Sequence, residues 1–263
     1  MTEPKSGPGI GWDAEEDDGR KLYRNEWKYV ISAADAELLR MRLSPHLRMD
    51  SHASGGGYEI RSLYFDDYKN SAYEQKLMGV FERKKWRIRI YDYSDAKISL
   101  ERKKKRGNYI YKEAVDLSRE EFDRILAGDF SFLLKRPETL STEFYLECVT
   151  KLLRPKVIVD YYRTPLILKE GTVRITFDKE VCAAVGGFDI FDKTLPKFSV
   201  QKQDEVVLEV KFTEFLPQLV KELLPTPDQS LVAFSKYCAC FERAHHLTDP
   251  TAGISKTYIG WRY

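Results

Sequence analysis

Basic side chains at alternating positions are the residues of this sequence best suited to chemistry. In residues 85–90, KWRIRI, cations and large apolar side chains alternate. A period of two places the cations on one face of a β-strand and the apolar side chains on the other. Arginine binds anionic oxygens through a two-point fork and lysine binds them as a point charge. This face is therefore suited to holding a strongly anionic partner.

The same alternation recurs along the chain. A single hairpin of this kind is most simply explained by a charged face that meets water, because antiparallel sheets commonly have one solvated side. Recurrence on strand after strand favours a shared polar face. Its predicted members beyond 85–90 are Arg24, Glu26, Lys28, Glu101, Lys103, Lys112, Tyr161, Arg163, Arg174, Thr176, Asp178, Glu209 and Lys211.

Strands and capped helices are predicted to position these residues. The predicted strands are 23–31, 58–66, the two arms of a hairpin over 81–105 with its turn at 94–96, 108–116, 156–163, 172–178 and 205–212. Helices are predicted from the N-cap Ser32, over 70–79, from the capping box of Ser118 and Glu121, over 138–152, and from Thr213 and Ser230. No repeating βαβ alternation is present, so we expect an α+β protein with a mainly antiparallel sheet.

Two arrangements of the sheet are compatible with this pattern. A flat sheet would expose its charges to water and cover its apolar face with helices. A closed sheet would turn the charges inward and form a tunnel lined by Lys, Arg and a few Glu. Mutual repulsion among so many enclosed cations requires an anionic occupant. The second arrangement implies a thread-like polyanion.

Composition limits the class of protein. The 263 residues are 43% hydrophobic, which suffices for a sizeable core, and 43 Lys+Arg against 41 Asp+Glu leave a net charge of only +2. This balance argues against a polycation for nonspecific nucleic-acid binding. Residues 1–20 are predicted to be a disordered acidic tail, 21–247 the folded domain and 248–263 a C-terminal extension.

The predicted location is cytoplasmic. The four cysteines include no C-x-x-C pair, which favours reduced thiols. No apolar run approaches the roughly 18 residues of a spanning helix, and the start of the sequence lacks the apolar centre of a signal peptide.

An ordered set of short motifs resembles the VTC (vacuolar transporter chaperone) domain, a family of the triphosphate tunnel metalloenzymes. The resemblance covers roughly residues 22–245. The motifs are R-x-E-x-K-Y at 24–29, S-L-Y-F-D at 62–66, K-x-R-x-R-x-Y at 85–91, L-E-x-K at 100–103, Y-x-R at 161–163, R-x-T-x-D at 174–178, L-E-V-K-F at 208–212 and F-S-K-Y at 234–237.

This resemblance implies a fold, an activity and a site. The fold is an eight-stranded antiparallel β-barrel, a triphosphate tunnel, with flanking helices. The activity is transfer of the terminal phosphoryl group of ATP to inorganic polyphosphate with Mn²⁺ or Mg²⁺. The implied catalytic residues are Lys28, Arg87, Arg89, Arg163, Arg174 and Lys236. The implied phosphate-binding residues are Lys103, Lys112, Tyr161, Ser235, Arg61 and Lys211. The implied metal ligands are Glu209, Glu26 and Glu101.

Structural roles remain open for several of these residues. Glu209 could pair with Arg174 or Lys211, and Glu26 and Glu101 could form structural ion pairs. Asp178 is expected to orient an arginine. Ser235 and Lys236 could simply be a helix N-terminus with a surface lysine. The four histidines, His46, His52, His245 and His246, are not expected to be ligands.

Other functions remain open as well. A triphosphatase could use the same tunnel with water as the nucleophile, which Glu26 or Glu101 would activate. A noncatalytic polyphosphate-binding or sensing module is a third possibility, and a nucleic-acid binder is disfavoured. The eukaryotic catalytic unit of the family works with a membrane partner. This sequence contains no transmembrane segment, so such a partner would be encoded separately and could hold the protein at a membrane.

Overall fold

The structure is a computed structural model that describes residues 24–53, 55–107, 109–213, 215–225 and 234–248. The predicted acidic tail, most of the predicted C-terminal extension and the helix start predicted at Ser230 lie outside these residues. Within the described ranges, no helix combines the length and apolarity needed to cross a membrane.

Strands make up more of the described chain than helices do. They are β1 (Arg24–Ser32), β2 (Arg48–Met49), β3 (Tyr58–Asp66), β4 (Glu82–Tyr91), β5 (Ser94–Arg106), β6 (Tyr109–Leu117), β7 (Arg154–Leu168), β8 (Val173–Ala184), β9 (Lys197–Ser199) and β10 (Glu205–Phe212). The helices are α1 (Ala33–Leu43), α2 (Ser71–Leu77), α3 (Arg119–Leu126), α4 (Thr139–Thr150), α5 (Gln218–Leu223) and α6 (Lys236–Thr248), with 3₁₀ turns at Ser131–Lys135 and Glu170–Thr172.

Eight of the strands form a closed ring. Their order around it is β7-β3-β4-β5-β6-β1-β10-β8, and β8 pairs again with β7. Every pairing is antiparallel. The short strands β2 and β9 extend the sheet from β7 and β8. The expected eight-stranded antiparallel α+β architecture with flanking helices is confirmed.

Helices cover the outside of the ring in two places. Helices α3 and α4 pack Phe122 and Phe144 against the outward side chains of β3, β4 and β5, among them Trp86 and Ile88. Helices α1 and α5 pack in the same way against the outward side chains of β1, β8 and β10. Each fully buried Leu, Ile or Phe in these clusters stabilises the fold by about 1.5–3 kcal/mol.

Helix α6 packs instead on the inside of the ring. Its Tyr237, Cys238 and Cys240 join a buried cluster formed by the inward side chains of β3, β7 and β8. One part of the inner face is therefore apolar and covered by a helix. The charged part begins where this helix begins.

Local signals explain three of the helix starts, and one turn differs from the prediction. The Ser32 and Ser118 caps are confirmed, the latter as a complete capping box with Glu121. Helix α5 begins five residues after the predicted Thr213, because Pro217 restricts the residue before it to extended backbone. The hairpin turn predicted at 94–96 is wrong: Asp92 and Tyr93 form it, both with positive φ, as a two-residue turn between strands requires.

Candidate functional site

Strand pleating separates the charged residues from the core. On β4 and β5, Trp86, Ile88 and Leu100 point outward into the helix-covered core, so Arg87 and Glu101 point into the ring. We call the charged group on this inner face the inner cluster. Ion pairs, hydrogen bonds and ring contacts connect its members in two groups. One contains Glu101, Arg87 and Lys112, and the other contains Glu26, Lys28, Arg89, Lys103, Tyr161, Arg163, Asp178, Glu209, Lys211 and Lys236.

Glu101 anchors one side of the inner cluster. Arg87 lies opposite it in the β4–β5 register, and Arg87 Nε donates to Glu101 Oε2 at 2.6 Å. Lys112 Nζ lies 3.5 Å from Glu101 Oε1. Burial opposes ionisation of Glu101, but the charges of Arg87, Lys112 and Arg89 outweigh it and hold its pKa well below the usual range. The carboxylate is therefore ionised and fixes the two cations.

Glu26 links β1 to β5. Lys103 Nζ reaches both of its oxygens, at 2.9 and 3.1 Å. Lys28 Nζ lies 3.6 Å from Glu26 Oε1 and 3.2 Å from Glu209 Oε1, so one ammonium group joins two carboxylates. Burial would raise the pKa of Glu26, but the charges of Lys103 and Lys28 lower it far below normal.

Glu209 is the centre of the cluster. Lys236 Nζ contacts Glu209 Oε1 at 2.9 Å and Asp178 Oδ2 at 2.6 Å. Arg163 binds Asp178 through two hydrogen bonds, of 2.6 and 2.7 Å, and reaches Glu209 Oε2 at 3.4 Å. The expectation that Asp178 orients an arginine is confirmed. Glu209 also approaches Lys211, at 3.7 Å.

Hydroxyl groups help to orient Arg89 and Arg87. Arg89 Nη2 donates to the Tyr161 hydroxyl at 2.9 Å, and Arg89 Nε donates to Ser62 Oγ at 3.1 Å. Arg87 Nη1 donates to the Tyr64 hydroxyl at 3.0 Å. Tyr64 has no role in the sequence-based site, although it falls in the S-L-Y-F-D motif. Only the register between β3 and β4 shows that Tyr64 lies opposite Arg87.

Ser235 and Lys236 lie at the start of helix α6, where Lys236 contacts Glu209. Ser235 Oγ accepts from the backbone N–H of Cys238 at 3.3 Å and from Lys85 Nζ at 3.0 Å. Lys236 is a helix N-terminal residue, but it is only 8% exposed and lies 4.9 Å from the ring of Tyr161. It is therefore not a surface lysine.

Arg174 lies on the same inner face of β8 as Asp178, four residues before it. Its guanidinium donates to the Tyr58 hydroxyl at 3.0 Å and contacts Asp50 Oδ2 at 2.8 Å. These contacts hold Arg174 between β3 and the segment after β2. Of the two cations considered as structural partners of Glu209, Lys211 is the one that the structure brings to it.

Arg61 is not brought into the inner cluster. It shares the outward face of β3 with Leu63 and Phe65. Its guanidinium binds Asp160 at 2.7 and 2.8 Å and donates to the carbonyl oxygens of Ile190 and Asp192. It fastens the connection between β8 and β9 to the outside of the ring.

The carboxylates fit a hard divalent cation. Glu26 and Glu209 are both ionised and share Lys28, and carboxylate oxygens are the donors that Mg²⁺ and Mn²⁺ prefer. In the described part of the chain, no group of three or more His, Cys, Asp or Glu residues forms a metal centre. The protein would supply one or two carboxylates, and the oxygens of a bound phosphate would complete the coordination. Both oxygens of Glu101, Glu26 and Glu209 contact Lys or Arg side chains, so a metal ion bound to any of them would displace a cation.

Sequence comparison decides the family. A family model described as the VTC domain matches residues 23–245. The chain belongs to the VTC domain family. No curated protein sequence matches this VTC domain significantly.

Solved structures with a similar arrangement are distant. A putative adenylate cyclase from Bacillus halodurans is 12% identical, with 91% of this chain and 94% of that chain covered and a TM-score of 0.45. A putative adenylyl cyclase from Hippeastrum, described as having a dominant triphosphatase activity, is 15% identical over 73% and 80% of the chains, with a TM-score of 0.44. At these TM-scores neither bears on the function of the VTC domain.

Proposed function

We propose that this VTC domain is a metal-dependent polyphosphate polymerase, which transfers the γ-phosphoryl group of ATP to a polyphosphate chain inside the ring. The observation that carries the proposal is the convergence of cations from seven of the eight ring strands and from α6 on one inner face. They are Lys28, Arg87, Arg89, Lys103, Lys112, Arg163, Arg174, Lys211 and Lys236. Phosphate binding by these residues stays a prediction.

The residue types suit phosphoryl transfer. A terminal oxygen of polyphosphate attacks the γ-phosphorus, the bond from that phosphorus to the β–γ bridging oxygen breaks, and ADP leaves with the electron pair. The main demand is stabilisation of charge on phosphate oxygens, and cations fixed in advance meet it. Arg163 is held by Asp178, and Arg87 by Glu101, so both guanidinium groups are positioned before a phosphate arrives. A divalent cation on Glu209 and Glu26 would neutralise further phosphate charge.

The electrostatics favour a polymerase over a triphosphatase. Hydrolysis benefits from a base that accepts a proton from water, with a pKa near neutral. The pKa values of Glu26, Glu101 and Glu209 are lowered because cations surround them, and those of Glu26 and Glu101 fall far below neutral. They are therefore poor proton acceptors. A polyphosphate end is already an anionic nucleophile and requires no such base.

The test is incubation of the purified protein with ATP and either Mn²⁺ or Mg²⁺, with products resolved on a gel and ADP quantified. We expect a ladder of polyphosphate, with one ADP for each unit added. Orthophosphate without a ladder would replace the polymerase by the triphosphatase, and tight polyphosphate binding without ADP release would replace it by the binding module. Arg163→Ala should abolish the ladder, whereas the matched outer variant Lys135→Ala should retain it.

We further propose that the polymerase works in the cytoplasm, where ATP is available, and that any membrane protein that receives the polymer is encoded separately. The polymer itself then links the two proteins. Co-purification of a membrane protein with the tagged polymerase, lost on polyphosphatase treatment, is the expected result.

A further inference from the structure

A second group of cations adjoins the inner cluster on β4 and β5. In the register of this pair, Arg83 lies opposite Lys105, and Lys85 lies opposite Lys103. Like charges directly opposite each other destabilise a strand pair. Glu26 compensates the charge of Lys103 in the second pair, whereas the first pair is unfavourable in the protein alone, and a bound anion would relieve its repulsion.

These cations differ from the inner cluster in their partners. Lys85 Nζ contacts Ser235 Oγ at 3.0 Å, Cys238 Sγ at 3.8 Å and the Tyr237 ring at 4.8 Å, all uncharged groups. Arg83 Nη1 donates to the backbone carbonyl of Val80 at 2.7 Å. No carboxylate of the described residues forms an ion pair with Arg83, Lys85 or Lys105. By contrast, carboxylates hold Arg87, Lys103 and Arg163 in place.

Helix α2 adds Lys76 to the cations Arg83, Lys85 and Lys105 of β4 and β5. Burial lowers the pKa of Lys76, and the charge of Arg83 lowers it further. Burial likewise lowers the pKa of Lys105, and the charges of Arg83, Lys103 and Lys76 lower it further, while the charge of Glu26 opposes them. Helix α2, which carries Lys76, packs against β4, and Arg83 of β4 lies opposite Lys105, so the three cations belong to neighbouring elements. Each is only partly buried, so the three side chains are accessible to a dissolved anion.

We propose that Lys76, Arg83, Lys85 and Lys105 form a second phosphate subsite, the α2 subsite, which binds the units of a polyphosphate chain that extend beyond the inner cluster. The inference rests on the proposed function and adds the path of the chain. From Arg83 to Arg87 the strand rises about 13 Å. A triphosphate seated among Arg87, Arg163 and Glu209 does not need the α2 subsite, whereas a long chain continues into it.

The test compares binding of two ligands that differ only in length. Isothermal titration with tripolyphosphate and with a long-chain polyphosphate of defined length is performed on the full chain and on the triple variant Lys76→Ala/Arg83→Ala/Lys105→Ala. Because partly exposed ion pairs are each weak, we expect roughly a tenfold loss for the long chain at physiological salt. Tripolyphosphate affinity should change less than about twofold.

A matched variant separates a subsite from a general charge effect. Lys135→Ala/Lys193→Ala/Lys221→Ala removes the same charge from exposed lysines outside the ring and should leave both affinities unchanged. The α2 subsite is refuted if the Lys76/Arg83/Lys105 variant loses affinity equally for both ligands, if neither affinity changes, or if the matched variant has the same effect. Equal unfolding midpoints of the variants would show that folding is not the cause.

Two further measurements separate the α2 subsite from lipid binding and from a failure of the proposed function. Anionic lipid vesicles also carry phosphate groups. If the full chain binds these vesicles through the same residues and shows no preference for long-chain polyphosphate over tripolyphosphate, the cations recognise lipid headgroups and the proposed α2 subsite is wrong. If the full chain binds neither tripolyphosphate nor the long chain, the proposed function fails first. If it binds both with equal affinity, the function survives and the α2 subsite does not.

Discussion

Glu209 balances cations from four different elements. It contacts Lys28 of β1, Arg163 of β7, Lys211 of β10 and Lys236 of α6. Its side chain is only 6% exposed, so water screens little of the attraction between this carboxylate and the four cations. The residue therefore has a structural role before any ligand binds, in addition to the proposed metal contact.

Replacing Glu209 by Gln keeps the shape and removes the charge. Four cations are then left without their shared partner, and we expect a loss of about 3 kcal/mol in the free energy of unfolding, since breaking a buried pair is costly. Urea denaturation measures it. Tripolyphosphate should restore much of the loss by supplying anionic oxygens. The exposed pair of Glu205 with Lys202 provides the control: Glu205→Gln should change stability by less than about 1 kcal/mol, and equal effects would contradict the central role.

We expect Lys85 to make the proposed polyphosphate binding depend on pH. Burial lowers its pKa to about 8, and the groups around it are the Ser235 hydroxyl, the Cys238 thiol, the Tyr237 ring, the Tyr64 hydroxyl and the cations Lys28 and Lys103. A bound phosphate favours the charged lysine and raises its pKa. Affinity should therefore be greatest below pH 8 and fall as the pH rises above it. Lys85→Arg should flatten this part of the profile, and Cys238→Ser should not; an unchanged profile in Lys85→Arg would assign the effect elsewhere.

The direction in which the Arg61 side chain points could not be predicted from the sequence. The motif residues around it, YEIRSLYFD, have apolar side chains at both odd and even positions, so alternation cannot say which face points inward. In the structure, Ile60, Ser62 and Tyr64 face the ring, and Arg61 faces outward. Alternation leaves Arg163 equally undecided, because Val157, Ile158 and Val159 are apolar on both faces of β7; the pairing of β7 with β3 and β8 places Arg163 on the inner face.

Strands were predictable where cations and large apolar residues alternate. On β4 and β5 the period of two identifies the strands and the inner face, because the two faces meet different surroundings. The turn at Asp92 and Tyr93 was missed because neither residue is Gly or Asn, the usual signals for positive φ. The position of α6 inside the ring could not be predicted from the sequence either, since an apolar helix face has the same composition whether it covers the inside or the outside of a sheet.

Helix α6 is fastened through Tyr237. Its hydroxyl donates to Asp66 Oδ2 at 2.7 Å, and its ring stacks on Tyr64 with centroids 5.1 Å apart. Asp66 also accepts from the backbone N–H groups of Ala72 and Tyr73, so one carboxylate joins β3, α2 and α6.

Tyr237→Phe should remove the hydrogen bond and keep the stack. We expect a loss of about 2 kcal/mol in stability, the value of a hydrogen bond to a charged group. Tripolyphosphate affinity should stay within about twofold, because Asp178 and Glu209 still hold Lys236. Chemical denaturation and calorimetry on the same samples provide both numbers. A large loss of affinity with no loss of stability would mean that the hydroxyl acts on the ligand.

The whole ring concentrates positive charge in an enclosed space. An anion that binds only the folded state stabilises it by mass action, by about 2.7 kcal/mol at a hundredfold excess over its Kd. Tripolyphosphate should therefore raise the unfolding midpoint, and NaCl at equal ionic strength should not reproduce the rise. Arg163→Ala should reduce the shift, while the matched outer variant Lys135→Ala should keep it. A shift that NaCl matches would indicate general screening.

The ring joins the first described strand to the last. Strand β1 pairs with β10 along eight residue pairs, and Asn25 donates to the Thr213 carbonyl, 188 residues away. Strand β1 meets its other neighbour, β6, over only two residue pairs. Such distant pairing is slow to form. During synthesis, β1 has almost no partner until β10 emerges, and the edges of β6 and β8 stay open until then. We expect ring closure to be the late, rate-limiting step of folding.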